Sequence, residues 1–157
     1  VSFYKGSYYE DWKKNPGKNE IALIYHTNFE KSMATGPPGS GPKCKDLCYE
    51  DIIHLTKKNE IILIDVREMS EIKETGKLPG SIHIPLGDLK QALQSLPEEE
   101  FKRKYGIPKP VNTANLVFSC RSGKRSRSAM ETAMSIGFVN SRHYNGGFLD
   151  WQKHHPQ

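Results

Sequence analysis

Two short stretches, EIILIDV at Glu60–Val66 and ANLVFS at Ala114–Ser119, are apolar at consecutive positions rather than at every second one. A strand that is hydrophobic on both faces must be covered on both faces, the condition of a strand inside a parallel sheet flanked by helices. Helical spacing surrounds them. Tyr49–Lys58 repeats apolar residues at helical intervals and meets a stop at Asn59, and Gly87–Leu96 carries Asp88 near its start. Pro97–Gly106 opens on proline and acids and closes on bases and glycine, which is the polarity a helix dipole favours. Ser81–Pro85 and Ser141–Tyr144 read as shorter strands, and Arg127–Gly137 as a helix ending at its glycine. Strands and helices alternating in this way predict an α/β domain with a mostly parallel central sheet flanked by helices. No internal repeat is visible, so one such unit is expected.

The unit does not begin at the first residue. In TGPPGSGPK, Thr35–Lys43, six of the seven residues from Gly36 to Pro42 are glycine or proline, a composition that marks a flexible linker. Residues 1–43 are therefore expected to be an N-terminal extension with its linker, and 44–157 the domain. Within the extension only Ile21–Tyr25 has strand character. Val1 reads as the start of a fragment or of a processed chain. Six lysines, no arginine and interleaved acids over residues 1–43 do not resemble an Arg-rich transit peptide, and no secretory apolar core appears.

Composition narrows the partners. The 157 residues carry a net charge of +5, so anionic partners are expected. No apolar run approaches the roughly 18 residues of a membrane span. Three cysteines are too few for a secreted disulfide scaffold, which points to a reducing compartment. The cytoplasm is expected, with the mitochondrial matrix as alternative. Cys44 and Cys48 lack a second ligand pair at zinc spacing, so neither a metal nor another cofactor is expected. His154 and His155 sit in a polar tail and read as surface residues.

The remaining cysteine stands in unusual company. In FSCRSGKRSRSAM, Phe118–Met130, Cys120 is followed by Arg121, Lys124, Arg125 and Arg127, with serines and one glycine between them. Like charges so close repel unless water solvates each one or an anion sits among them. The plainer reading is a solvated basic turn beside a buried cysteine. The alternation above favours the other. Cys120 falls where a buried strand ends and a helix is about to begin, and ligands of open α/β sheets bind beyond the carboxyl ends of strands. A loop Arg121–Ser126 would aim successive amides inward, and the helix N-terminus behind it favours an anion. Such surroundings lower a thiol's pKa from about 8.5 to roughly 3.5–7.5 and make the thiolate the main form. No histidine base is evident, because His83 and His143 lie on predicted strands and read as structural. Asp65 and Arg67, in DVRE at the end of the other central strand, lie near this loop if the two strands are neighbours.

Four separated pieces, LIDVRE (Leu63–Glu68), GKLPGSIHIPL (Gly76–Leu86), LVFSCRSGKRS (Leu116–Ser126) and YNGGFLDW (Tyr144–Trp151), together resemble the single-domain rhodanese, or thiosulfate sulfurtransferase, family. The SGKRS run looks like the thiosulfate:glutathione sulfurtransferases. The resemblance implies a rhodanese-like fold and a Cys120 that takes sulfane sulfur from thiosulfate or a similar donor. A thiol such as glutathione or a protein thiol, or cyanide, would then remove it. The amides of Arg121, Ser122, Gly123, Lys124, Arg125 and Ser126 would cradle the persulfide, the cations would attract the donor, and Asp65 and Arg67 would support the loop. Lys77 stands where the family usually has histidine, and Ser81 where it has alanine.

Three rivals remain. Rhodanese-like phosphatases use Cys-x5-Arg, but here the x4 position of the spacing leads to Arg125 and the next residue is Ser126. That shorter loop fits one sulfur better than a phosphoryl group. A non-catalytic rhodanese-like interaction module would usually have lost the cysteine. Nucleic-acid binding lacks interleaved aromatics and any known motif. The expected protein is a monomeric enzyme that acts on small molecules, without nucleic acid or membrane as partner.

Overall fold

A computed structural model of the chain describes residues 45–156, so the extension, its linker and Cys44 lie outside the described residues. The described part is a five-stranded sheet with six helices, in chain order β1 (Asp46–Leu47), α1 (Tyr49–Lys57), β2 (Ile62–Asp65), α2 (Met69–Thr75), β3 (Ile82–His83) and α3 (Leu86–Gln94). There follow α4 (Glu98–Tyr105), β4 (Leu116–Ser119), α5 (Lys124–Ser135), β5 (Ser141–Tyr144) and α6 (Gly147–His154). The sheet runs β1-β5-β4-β2-β3. All its pairings are parallel. The expected α/β architecture stands.

The two apolar runs are the paired centre of that sheet, with Leu63 beside Val117, Ile64 beside Phe118 and Asp65 beside Ser119. Successive side chains leave on opposite faces, and both faces are covered. Ile64, Leu116 and Phe118 enter one core with Leu89, Phe101, Ala129 and Ala133, from α3, α4 and α5. Leu63 and Val117 enter the other, with Ile52 of α1, Leu78, Tyr144 and Phe148 of α6. Burying each such side chain contributes about 1.5–3 kcal/mol, which is why neither run can afford polar alternation.

Several boundaries differ from the sequence reading, for physical reasons. The helix expected at Arg127 begins at Lys124, because Gly123 turns the chain at φ 94° and three polar residues form the first turn before the buried stripe of Ala129, Met130 and Ala133 starts. Lys124, Arg125 and Ser126 are thus helical rather than loop residues. Helix α2 has no buried residue, so it offers no apolar period to read. Helix α6 takes in His154, which the sequence reading places in a polar tail; two glycines precede its apolar face. Strand β1 is only two residues long. Asn59 does end α1, through a φ of 53° that asparagine tolerates better than most residues. No helix among the described residues is long and apolar enough to cross a membrane.

Candidate active site

The carboxyl ends of β2 and β4 deliver Asp65 and Cys120 to one edge of the sheet, since Asp65 and Ser119 are register partners. Cys120 is 1% exposed. Its Sγ accepts a hydrogen bond from the Gly123 N–H at 3.0 Å. Only glycine serves at 123. At φ +94° a Cβ would stand 2.1 Å from the Asn145 carbonyl oxygen. The opposite wall is the start of α6. Phe148 N–H donates to the Cys120 carbonyl at 2.8 Å and Leu149 N–H to that of Arg121 at 3.1 Å. That approach requires Gly147, where a Cβ would meet both carbonyl oxygens at 2.6 Å. The second glycine of YNGGFLDW is therefore a docking position for the cysteine loop.

The cations of the loop divide into two kinds. Arg121 and Lys124 are exposed, as is Ser122 between them. Arg125 is tied down in a two-pronged ion pair with Glu71 of α2, at 2.6 and 2.8 Å. The hydrogen bonds from Arg125 pull the Glu71 carboxyl down to about 2. Arg127 bonds Asp46 at 3.0 Å on the far side of α5.

Asp65 and Arg67 form a wholly buried ion pair. Arg67 Nε reaches both Asp65 oxygens at 3.0 Å, and a second guanidinium nitrogen is 2.7 Å from Oδ2. The remaining donors go to the Thr75 hydroxyl at 2.9 Å and the Gly76 carbonyl at 2.8 Å. Its carbon centre lies 4.1 Å from the Phe148 ring centroid, so one side chain ties β2, the end of α2 and α6 together. A cleft of about 130 Å³ adjoins it, lined by Arg67, Glu71, Glu74, Arg121, Phe148 and Gln152 among others. A larger apolar cavity of about 270 Å³, under Trp151 and Ile52, does not include any residue of the cysteine loop.

Local sequence did not reveal the inner side of the site. Ser126 is fully buried, with Oγ 3.5 Å from Cys120 Sγ and 3.0 Å from Nδ1 of His143. His143 is fully buried too, and its Nε2 lies 2.7 Å from Oδ1 of Asp46. His83, by contrast, is held by the Arg67 carbonyl at 2.7 Å, as the structural reading expected. The only local hint for His143 was its place on a short strand; Asp46 lies 97 residues away in sequence.

Comparison with known proteins meets this geometry directly. The model of the rhodanese-like domain matches residues 49–154. The chain belongs to the rhodanese-like family. A mouse relative, thiosulfate sulfurtransferase/rhodanese-like domain-containing protein 3, is 48% identical over 107 residues, covering 68% of each chain. The thiosulfate:glutathione sulfurtransferase of Saccharomyces cerevisiae is 37% identical, over 68% of this chain and 76% of that one. A human single-domain sulfurtransferase structure superposes with a TM-score of 0.66 at 31% identity, covering 70% of this chain and 96% of its own. The family and the class of enzyme expected from the four sequence pieces both stand.

Proposed function

We propose that this rhodanese-family enzyme moves sulfane sulfur from thiosulfate, or a similar dianionic donor, to a thiol or cyanide through a persulfide on Cys120. The observation that carries the reading is the Gly123 amide, 3.0 Å from a sulfur that is otherwise enclosed. An amide donor there stabilises the thiolate and, after reaction, the persulfide, at a helix N-terminus whose first-turn N–H groups lack intrahelical partners. In the first half-reaction the Cys120 thiolate attacks the outer sulfur of thiosulfate. The new S–S bond forms as the old one breaks, and sulfite leaves with the electron pair. In the second, an acceptor thiolate attacks the outer persulfide sulfur and Cys120 thiolate is the leaving group.

The roles proposed for the residues around the sulfur follow the sequence reading, with one shift of emphasis. The amides of Arg121, Ser122, Gly123, Lys124, Arg125 and Ser126 would cradle the persulfide, that of Gly123 lying 3.0 Å from the sulfur, and Arg121 and Lys124 would attract the donor. Arg125 contributes less attraction than its charge implies, because Glu71 meets it. Asp65 and Arg67 hold the wall beside Phe148. Ser126 stands where Cys-x5-Arg would place its arginine, after the five residues that follow Cys120, and it is bonded inward, which argues against a phosphatase. The similarity to the yeast thiosulfate:glutathione sulfurtransferase supports glutathione or another thiol as acceptor. The protein acts as a monomer without cofactor, in the cytoplasm or the mitochondrial matrix, on residues 44–157 as one domain behind the extension 1–43.

Intact mass after incubation of the reduced protein with thiosulfate tests this. Gain of one sulfur atom, absent from Cys120→Ser and discharged by glutathione or cyanide, is the expected result. No gain would overturn the persulfide, and phosphate release from an aryl phosphate would then identify the rival. A kcat/KM larger for mercaptopyruvate than for thiosulfate would remove the preference for a dianion.

A further inference from the structure

Cys120, Ser126, His143 and Asp46 form one unbroken line of hydrogen-bonding atoms from the enclosed sulfur to the edge strand. The steps are 3.5 Å from Sγ to the Ser126 hydroxyl, 3.0 Å from that hydroxyl to His143 Nδ1, and 2.7 Å from His143 Nε2 to the Asp46 carboxylate. The first is within reach for sulfur, whose radius exceeds that of oxygen. The three inner residues are each 1% exposed or less, while the Asp46 side chain is 35% exposed. The line therefore starts in the core and ends at solvent.

Its direction follows from Asp46. A carboxylate accepts but does not donate, so Nε2 of His143 carries the hydrogen and Nδ1 of the neutral ring is an acceptor. The single Ser126 hydroxyl proton has two acceptors in reach, His143 Nδ1 and the Gly123 carbonyl, both at 3.0 Å; turned to Nδ1 it leaves a lone pair to receive the thiol's proton, and the Gly123 carbonyl keeps the Arg127 N–H at 3.2 Å. We infer that Ser126, His143 and Asp46 are a proton relay that takes the proton of Cys120 and holds it on His143 while the thiolate reacts. In the step, the S–H bond breaks with its electron pair left on sulfur. The Ser126 oxygen gains that proton and passes its own to Nδ1, giving a thiolate, an unchanged serine and an imidazolium. Every atom stays partnered afterwards, since Nδ1–H donates to Ser126, Ser126 and the Gly123 amide donate to the thiolate, and Nε2–H donates to Asp46.

Asp46 is suited to the end of the line. The hydrogen bond from His143 holds its carboxyl below the usual carboxylate range, against partial desolvation, and the charge of Arg127 adds to that. The charged and titratable groups facing the line are Asp46 on β1, Arg125 and Arg127 on α5 and Cys120 itself, and Arg125 is balanced by Glu71 of α2. A merely structural His143 would need only to have its two nitrogens satisfied. It would not need one of them satisfied by the residue that touches the sulfur.

This relay serves the sulfur transfer proposed above and rests on that reading for its purpose, but its test requires no sulfur donor. The ultraviolet absorbance of the Cys120 thiolate is followed against pH as the difference between each protein and its Cys120→Ser counterpart. Ser126→Ala cuts the line inside the core, and Asp46→Asn weakens its exposed end without disturbing buried packing. Both are expected to lower the thiolate signal near neutral pH by about threefold to tenfold and to displace its rise to higher pH, in keeping with the sensitivity of thiols to their surroundings. Ser126→Thr, which keeps the hydroxyl, restores the wild-type profile. Superimposable profiles for wild type, S126A and D46N would overturn the relay. Persulfide formation with superimposable profiles would remove the relay and leave sulfur transfer standing. Displaced profiles in a protein that gains no sulfur would keep the relay and remove sulfur transfer.

Discussion

Cys48 and Cys120 occupy equivalent places in the fold, and their surroundings are opposite. Each follows a parallel strand and precedes a helix, β1 and α1 for one, β4 and α5 for the other. Cys48 is exposed and caps α1, with its Sγ 3.1 Å from Asp51 and Glu50 and Asp51 filling the first turn. The Asp51 amide pulls its thiol down, but the Asp51 carboxylate, desolvation and Glu50 outweigh it and the thiol is pushed up. Cys120 is buried against an amide and a hydroxyl, and its helix opens on Lys124 and Arg125 with no acid in the first turn. A strand-to-helix junction thus supplies only the location. The sign of charge in the first helical turn and the partners of the sulfur separate a helix-capping cysteine from the one proposed above as the nucleophile.

The sharpest way to break this comparison is to exchange the cysteines' fates. Cys120→Ser is expected to abolish sulfur uptake by intact mass, while Cys48→Ser leaves it within about twofold, since surface substitutions rarely matter far from a site. Equal losses would erase the distinction. Gly123→Ala comes next. The Cβ has no room against Asn145, so a loss of about 2–4 kcal/mol in denaturant unfolding is expected together with loss of transfer, in the range of strained or overpacked sites.

Lys124→Glu makes the first turn of α5 resemble that of α1. Steady-state transfer from thiosulfate is expected to fall about tenfold, with a steeper salt dependence lost at the same time, as a charge reversal near an anion site should produce. An unchanged KM would show that the exposed cations do not read the donor. The smallest effect concerns Glu71. Its folded value of about 2 lies below its ordinary 4.5, so its ion pair stabilises the protein above about pH 4.5 and that contribution is lost as pH falls toward 2. Glu71→Gln is expected to flatten the acid limb of the stability curve, read as thermal midpoint against pH, by bringing the neutral plateau down toward the acid value, and an acid limb as steep as that of the wild type would sink the assignment.

How much of this could be read in advance depends on how far apart the cooperating residues lie. Ile62–Asp65 and Leu116–Ser119 announced themselves because burial on both faces leaves a local mark, a run without polar alternation. Pro97, the acids behind it and Gly106 marked α4 because capping and dipole effects act within one turn. The site was visible for the same reason, since Cys120, Gly123 and Lys124 are neighbours in sequence and the amide that meets the sulfur is three residues away. Helix α2 escapes because it buries nothing, and the start of α5 at Lys124 rather than Arg127 escapes because its first turn is polar, with no apolar period to mark it.

By itself, then, the sequence determined the α/β alternation, the central strand pair and the basic cysteine turn, all of which rest on interactions spanning a few residues. Only the tertiary structure decided that Arg125 is spent on Glu71, that Gly147 seats α6 on the carbonyls of the cysteine loop, and that Asp46 and His143 stand behind Ser126. These contacts join residues from 17 to 97 positions apart through the order in which parallel strands assemble. No local preference encodes that order, because it is set by which apolar faces bury one another when the whole sheet closes.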